Sequence, residues 1–230
     1  MKTLGMLGGM AWPSTADAYR RINEAVGEHL GGVTSAPLIV WSFDFAQVER
    51  LQSAGDWDAA GALLADAARR LEVAGAEGLM LCTNTMHLVA PFIEDAVDIP
   101  LLHIADATAK AVRSAGVERV GLLGTRFTME HVFYAGRLRE HGLDVVVPNQ
   151  PDRDDVHRII YEELVLGKIT DDARRTLREV SERLVEDGAQ GIIAGCTEIE
   201  LLLGPPDVPV PYFPTTAIHV DAAVDWILGV

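Results

Sequence analysis

The sequence predicts an α/β protein of two similar domains, each a short, mostly parallel sheet flanked by helices. Short apolar runs alternate with longer amphipathic runs, which is the pattern of right-handed βαβ units. Three segments of the first half also recur in the same order in the second half, at offsets between 109 and 116 residues. We therefore favour an internal duplication over the alternative, a single doubly wound domain with repetitive βαβ units.

The individual elements follow from the same patterns. The expected strands are Thr3–Leu7, Ala36–Phe43, Gly78–Cys82, Leu101–Ile104, Arg119–Leu123, Asp144–Val147, Gly191–Ala194 and Val210–Phe213. The expected helices are Ser14–Leu30, Trp57–Ala74, Thr128–His141, Asp152–Leu166, Asp171–Asp187 and Ala217–Leu228. Ser14 and Asp17 have the spacing of a capping box, and Thr170 precedes two acidic residues as a helix N-cap would.

Composition excludes several classes of protein. The chain has 230 residues and a net charge of −15, which argues against general nucleic-acid binding because phosphate contacts need clustered Lys and Arg. Two cysteines do not form a disulfide framework. The N-terminal apolar run is too short for a signal peptide, and no run approaches the roughly 18 residues that cross a bilayer. We expect a cytoplasmic protein with no membrane partner.

The most informative of the three recurring pairs of segments aligns Gly75–Thr85 with Gly188–Glu198. In this alignment Cys196 lies opposite Thr83, and Cys82 lies opposite Gly195. Both segments read as an apolar strand that runs into a polar turn. Ligands of parallel sheets bind beyond the carboxyl ends of the strands, so we expect the two turns to face each other across a cleft that holds the active site. One side would carry a thiol and the other a hydroxyl.

Reactive groups on opposite sides of a small substrate suit proton transfer at a carbon atom. A thiolate is a good base when positive charge or a helix N-terminus lowers its pKa, and Cys196 precedes a possible helix start. Cys82 is one residue too early and should point away from Thr83, because side chains alternate along a strand; we interpret it as a buried structural thiol. Thr83 is either a cap of the following helix or the opposing acid or proton relay.

Other constellations give no competing site. The glycines after the first strand lack dinucleotide-fold spacing, and no P-loop lysine follows any glycine-rich turn. Cys82 and His87 lack further ligands, so no metal site is expected. His103 and His219 are interpreted as core or turn histidines, and no specific histidine pairs with Cys196 as a hydrolase would require.

Five segments carry a family resemblance. They are Leu7-Gly-Gly-Met-Ala-Trp12, Thr83-Asn-Thr-Met-His87, Leu102-His-Ile-Ala-Asp-Ala107, Leu123-Gly-Thr-Arg-Phe-Thr-Met129 and Gly195-Cys-Thr-Glu-Ile199. These segments resemble those of the cofactor-independent aspartate/glutamate racemase superfamily, in its broad-specificity branch, and they occur along the chain in the same order as in that family. The resemblance implies a first domain of residues 1–104 with a returning segment 212–230, and a second domain of residues 105–211. It also implies catalysis without pyridoxal phosphate or metal.

The family's usual pattern has one cysteine before Asn-Thr and a second before Thr-Glu. This chain keeps the second, Cys196, and has Thr83 at the first position. Family resemblance further assigns substrate binding to the residues Met10, Gln52, Thr83, Asn84, Thr85, Thr125 and Thr197. Candidate carboxylate partners, which are otherwise surface charges, are Arg50, Arg126 and Lys168. Glu198 is expected to tune the thiol, to bind the substrate ammonium or to start a helix, and Glu163 is a second ammonium candidate.

These inferences predict a racemase of aspartate or glutamate that needs no pyridoxal phosphate. Cys196 would abstract the Cα proton with Thr83 on the opposite face, and L-substrates would be favoured. The resemblance also implies a homodimer. The alternatives are an isomerase or decarboxylase of dicarboxylates, resembling maleate isomerase or arylmalonate decarboxylase, and a non-catalytic dicarboxylate-binding protein.

Overall fold

The computed structural model describes residues 1–230 and divides them into two compact units. Unit 1 comprises Met1–Ile104 and His219–Val230, and unit 2 comprises Ala105–Ile218. Each unit contains one four-stranded sheet in which all paired strands are parallel. The predicted fold class, parallel sheets flanked by helices in two similar halves, is confirmed.

The elements alternate along the chain as βαβ units require. The first half contains β1 (Leu4–Gly8), α1 (Trp12–Leu30), β2 (Leu38–Ser42), α2 (Phe45–Ala54), α3 (Trp57–Val73), β3 (Gly78–Leu81), α4 (Ala90–Glu94), β4 (Leu101–Leu102) and α5 (Ile104–Ser114). The second contains β5 (Arg119–Gly124), α6 (Arg126–Glu130), α7 (Val132–Glu140), β6 (Asp144–Val146), α8 (Gln150–Arg158), α9 (Asp171–Glu186), β7 (Gly191–Gly195), β8 (Tyr212–Pro214) and α10 (Thr215–Leu228).

Strand β3 shows why the sheet of unit 1 needs helices on both faces. Its side chains alternate, so Leu79 and Leu81 pack into the cluster that includes α3, whereas Met80 packs into the cluster of α1 and α10. All of β3 is buried, as is usual for a central strand of a parallel sheet. The strand order in this unit is β2-β1-β3-β4.

Unit 2 repeats this topology with the order β6-β5-β7-β8. Its main core cluster includes β7 residues Ile192 and Ala194 together with Leu177 and Leu184 of α9. Glycine is required where the central strands end: a Cβ on Gly195 would lie 2.8 Å from the carbonyl oxygen of Leu123. The close approach of β5 and β7 thus depends on the absence of a side chain at this position.

The register of the two sheets tests the sequence alignment. Leu4 pairs with Gly78 in unit 1, and Val120 pairs with Gly191 in unit 2, so β3 and β7 are equivalent strands. By this equivalence, Thr83 in the turn after β3 corresponds in position to Cys196 in the turn after β7, as it does in the sequence alignment of the two segments. In the fourth strands, Leu101 of β4 corresponds to Tyr212 of β8. The sequence alignment pairs Leu101 with Val210, two residues earlier.

The predicted helix starts have mixed outcomes. The N-cap at Thr170 is confirmed, because its hydroxyl accepts a hydrogen bond from the amide of Ala173 at 3.1 Å. The predicted capping box at Ser14 is wrong: α1 begins at Trp12, and no side chain caps it. Pro13 in its first turn, where proline suits a helix, explains the earlier start.

Two predicted helices are interrupted. The segment predicted at 128–141 divides into α6 and α7, because His131 between them is extended. The segment predicted at 152–166 begins as α8, continues as a π-helical turn over Ile159–Glu163 and ends as a 3₁₀ turn over Leu164–Leu166. Helices α2 and α4 occupy segments for which no element was predicted. Helix α5 does so as well, apart from its first residue, Ile104, which was expected to end a strand.

The boundary between the units lies later than the sequence placed it. Residues 212–218, expected in the first domain, belong to unit 2 because β8 pairs with β7. The chain then enters unit 1 within α10, whose Val220, Val224 and Ile227 pack against β1 and β3. None of the helices is both long enough and apolar enough to traverse a lipid bilayer.

Candidate active site

In unit 2, the candidate residues lie where two neighbouring strands end. Gly124 of β5 pairs with Gly195 of β7, and the next residues along the chain are Thr125 and Cys196. The hydroxyl of Thr125 accepts a hydrogen bond from the amide of Thr128 at 3.3 Å and so caps α6. Both Thr125 and Cys196 are buried, with 6% and 7% of their surfaces exposed.

Cys196 is hydrogen-bonded to a carboxylate two residues further along the chain. Its Sγ donates to Oε2 of Glu198 at 2.8 Å, and the hydroxyl of Thr197 donates to the same oxygen at 2.6 Å. Three consecutive residues thus form one cluster, in which Glu198 accepts both bonds. The carboxylate is placed to receive the thiol proton.

The pKa of Cys196 is raised well above its ordinary value. Burial is the largest cause, followed by the negative charge of Glu198 and the hydrogen bond to it. The expected lowering by a helix N-terminus does not occur, because only a 3₁₀ turn, Ile199–Leu201, follows Cys196. The resting side chain is therefore a thiol, and its ionisation requires a base and a compensating positive charge.

In unit 1, the equivalent turn follows β3. Cys82 is buried and packs with Met6, Ile22 and Val224, so it faces the core cluster of α1 and α10. Burial raises the pKa of Cys82 to about 12. A thiol in this environment is inert, as expected for a structural cysteine.

Thr83 follows Cys82 and is only half-buried. Its amide donates to the carbonyl of Leu81 at 2.9 Å, and its carbonyl accepts a hydrogen bond from His87 Nδ1 at 2.7 Å. The 3₁₀ turn that follows, Thr85–Val89, has Asn84 at its N-cap and no capping side-chain bond. The structure gives no support to the interpretation of Thr83 as a helix cap.

Met10 and Gln52 also lie in unit 1. Met10 follows β1 and is buried beside Phe43, and Gly9 before it has φ +87°, a conformation that favours glycine. Gln52 on α2 is 5% exposed, and its Nε2 lies 3.0 Å from Sδ of Met86. Its Oε1 is buried and has no hydrogen-bond partner. An unpaired buried carbonyl is costly, so this atom is a candidate acceptor for a ligand.

The charged candidates differ in how they are held. Arg126 pairs with Asp154 at 3.1 Å, and Glu163 accepts hydrogen bonds from Arg158 at 2.9 Å and Thr170 at 3.0 Å. These contacts tie both candidates to neighbouring surface residues of unit 2. Arg50 and Lys168 are exposed side chains.

Three histidines form a buried polar group in unit 1, and the sequence patterns did not indicate that they lie together. His87, His103 and His219 have 1%, 5% and 1% of their surfaces exposed, and the ring of His87 lies 4.5 Å and 6.0 Å from the rings of the other two. The interpretation of His103 and His219 as core residues is confirmed. The link from His87 to Thr83 was missed, although both belong to the segment Thr83-Asn-Thr-Met-His87.

The family follows from comparison with known proteins. A sequence profile described as Asp/Glu/Hydantoin racemase matches residues 7–223, which is nearly the whole chain. The chain belongs to this family. It is therefore a racemase.

Several relatives of this racemase have known structures or activities. A crystal structure from Yersinia pestis, assigned as an Asp/Glu racemase, is 53% identical with a TM-score of 0.94, covering 99% of this chain and 100% of the other. An aspartate racemase homologue from Pyrococcus horikoshii OT3 is 34% identical with a TM-score of 0.86, and the coverages are again 99% and 100%. The broad-specificity amino-acid racemase RacX of Bacillus subtilis is 24% identical over 76% of this chain and 75% of its own.

The same architecture also occurs in an enzyme with a different reaction. Unliganded arylmalonate decarboxylase has a TM-score of 0.53 at 19% identity, with 100% of this racemase and 94% of the decarboxylase covered. At this identity the likeness concerns the fold alone, since one fold supports many reactions.

Proposed function

We propose that this racemase acts on aspartate or glutamate without pyridoxal phosphate, and that Cys196 abstracts the Cα proton. The observation that carries the proposal is the 2.8 Å hydrogen bond from the Cys196 thiol to Glu198. A thiol beside a carboxylate can become the thiolate that the reaction needs, and the remaining steps require only proton movements.

The proposed reaction has three proton transfers. Glu198 first takes the thiol proton, which leaves a thiolate and a neutral carboxylic acid. The thiolate then takes the proton from Cα, and the electron pair stays on the substrate as a carbanion delocalised into its carboxylate. Delivery of a proton to the opposite face by the Thr83 hydroxyl, which takes a replacement from water, is the third transfer and completes the inversion. Glu198 then gives its proton back to the solvent, which restores the carboxylate, the thiol and the hydroxyl.

The substrate ammonium supports the first of these transfers. A thiolate between buried groups and next to Glu198 is unfavourable without a positive charge, for the reasons that raise the pKa of Cys196. We propose that Glu198 holds the ammonium group close to the sulfur, with Glu163 as the second candidate. Binding and activation of the base would then be coupled.

The substrate carboxylates would be bound by hydroxyl, amide and backbone groups at the strand ends. The proposed set consists of Met10, Gln52, Asn84, Thr85, Thr125 and Thr197, with Thr83 beside them. The buried Oε1 of Gln52, which has no partner within the chain, can only accept a hydrogen bond, so it supports a contact to the substrate ammonium and not to a carboxylate. Arg50, Arg126 and Lys168 are the candidates for the second carboxylate; Arg126 would first have to leave Asp154.

The test is the exchange of the Cα proton in heavy water, followed by proton NMR for L- and D-aspartate and L- and D-glutamate separately. A hydroxyl is a far weaker base than a thiolate, so we expect the two enantiomers to exchange at unequal rates. The resemblance to the broad-specificity branch leads us to expect the faster exchange from the L-enantiomer. Cys196→Ser should reduce this exchange by at least about 10²-fold. Equal exchange of both enantiomers would refute the one-base assignment, and exchange that survives in Cys196→Ser would refute the role of the thiol.

A second candidate function is an isomerase or decarboxylase of dicarboxylates. It is favoured by the single thiol of the proposed site. One thiol suffices to protonate the carbanion that decarboxylation leaves, or to add as a thiolate to the double bond of maleate and to leave again after rotation. Maleate and arylmalonate, added to the same NMR assay, would show conversion to fumarate or loss of carbon dioxide.

We also propose that the enzyme works in the cytoplasm and that it forms a homodimer, the second of which the resemblance to its family suggests. Light scattering coupled to size-exclusion chromatography measures the mass directly. A mass near 24.9 kDa, that of one chain, would refute the dimer.

A further inference from the structure

His87 connects two segments that follow neighbouring strands of the unit 1 sheet. Its Nδ1 lies 2.7 Å from the carbonyl oxygen of Thr83, in the turn after β3. Its Nε2 lies 3.2 Å from the amide nitrogen of Ile104, which follows β4 and begins α5. Strands β3 and β4 are paired in the sheet, so the imidazole bridges the two segments that follow their carboxyl ends.

These two contacts fix the proton on one ring nitrogen. A backbone carbonyl only accepts, so Nδ1 must carry the hydrogen; a backbone amide only donates, so Nε2 must be the bare acceptor. A neutral ring has one donor and one acceptor, and both are used here. An imidazolium would point an N–H at the amide of Ile104, which has no acceptor to offer.

The surroundings keep the ring in this state. His87 is 1% exposed, and burial, followed by the nearby His103 and His219, holds its pKa well below the usual value. His219 is occupied separately, since its Nε2 donates to the carbonyl of Leu102 at 2.6 Å. The buried cluster thus keeps the ring of His87 neutral at the point where it bonds to the turn after β3.

We propose that His87 is a positioning residue, which fixes the turn Thr83–Thr85 by holding the carbonyl of Thr83 against the start of α5. This inference rests on the proposed function, in which Thr83 serves the face of the substrate opposite Cys196. A group that transfers protons must be held in place closely, and an error of about 1 Å can cost on the order of 10²-fold in rate. The carbonyl of Thr83 accepts its hydrogen bond from this imidazole, while the amide of Thr83 donates to the carbonyl of Leu81.

Two amide variants of His87 separate its hydrogen bonds. His87→Asn places an N–H donor near the position of Nδ1 and keeps the bond to Thr83. His87→Gln places its amide near the position of Nε2, so it serves Ile104 and loses the bond to Thr83. We expect kcat for Cα exchange to fall less than tenfold in the Asn variant and on the order of 10²-fold in the Gln variant, with a smaller change in KM.

His219→Gln is the matched control. It alters the same buried cluster and can keep the bond to Leu102, but His219 makes no hydrogen bond to the turn. We expect it to lower the melting temperature about as much as the His87 variants do and to leave kcat within a few-fold of the parent. If kcat instead follows the melting temperature across all three variants, His87 only fills space, and the proposal is wrong.

A measurement without turnover separates this proposal from the proposed function. In the full chain labelled with ¹⁵N-histidine, long-range proton–nitrogen correlation at pH 7 should show His87 as the neutral Nδ1–H tautomer. Amide exchange of residues 83–87 should be faster in His87→Gln than in His87→Asn. The opposite tautomer, or equal exchange in both variants, overturns the positioning role. No Cα exchange by the parent, with these two results as expected, overturns the proposed function alone.

Discussion

Cys196 illustrates at the scale of one residue how environment decides chemistry. Burial and the charge of its neighbour Glu198 raise the pKa of the thiol in the resting protein, yet Glu198 is also the base that we propose takes the proton away. The two roles of Glu198 do not conflict. The raised pKa belongs to the site without substrate, whereas in the proposed reaction the thiol loses its proton only when the substrate ammonium is bound. Cys82 lacks any such partner and stays a core thiol.

Substitution of Glu198 by Gln should therefore change two properties in opposite directions. Loss of the negative charge lowers the pKa of Cys196, so the midpoint of alkylation by iodoacetamide moves to lower pH. Loss of the base reduces kcat/KM for Cα exchange by on the order of 10²-fold or more. Alkylation is measured by mass spectrometry in a Cys82→Ala background, where Cys196 is the only thiol.

The parent with Cys82→Ala alone is the control for that measurement. Its alkylation midpoint should lie above that of the Glu198→Gln variant, because the carboxylate penalises the thiolate. A midpoint that is unchanged or higher in the variant would show that the charge of Glu198 does not reach the sulfur.

At the scale of elements, the sequence predicts all eight strands and their alternation with helices. Apolar runs and polar turns are local signals, and the echo between β3 and β7 aligns Thr83 with Cys196 as the strand registers do. The sequence could not show where a local pattern is interrupted in the folded chain. The break at His131 and the π-helical turn after α8 lie inside continuous helical patterns. The bonds of His87 to Thr83 and Ile104 depend on the pairing of β3 with β4, which periodicity does not encode.

The equivalence of β3 and β7 leads to a prediction for the turn after β3. Thr83→Cys puts a thiol at the position that corresponds to Cys196, so both turns would carry a strong base. We expect exchange of the D-enantiomer to rise by at least tenfold, because a thiolate is a far better base than a hydroxyl. Exchange of the L-enantiomer should change less. Initial rates in heavy water for each enantiomer give the comparison.

Thr83→Ser is the appropriate control, because it keeps a hydroxyl and changes only the methyl group. Its preference for the L-enantiomer should match that of the parent. If the Cys and Ser variants show the same ratio of D to L exchange, then residue 83 does not face the substrate.

For the whole molecule, the two units differ in how they should respond to acid. Unit 1 holds all three clustered histidines and all four tryptophans, at positions 12, 41, 57 and 226. Tryptophan fluorescence therefore reports the unfolding of unit 1, whereas far-ultraviolet circular dichroism reports both units. Since the chain has two compact units, a single two-state transition is not assumed.

The stability of unit 1 should fall as the pH falls below about 6.5. Burial lowers the pKa of His219 from 6.5 to about 4 and that of His87 well below 6.5, so between these values the unfolded chain binds protons that the folded unit does not. The free energy of unfolding therefore rises with pH in this window and is independent of these groups above it. For His219 alone the loss approaches about 3 kcal/mol by pH 4. Urea unfolding followed by tryptophan fluorescence from pH 7.5 to 4.5 measures it, and His219→Gln, which cannot titrate, should flatten the acid limb. An acid limb of equal slope in the parent and the variant would mean that His219 is protonated in the folded protein as readily as in the unfolded chain.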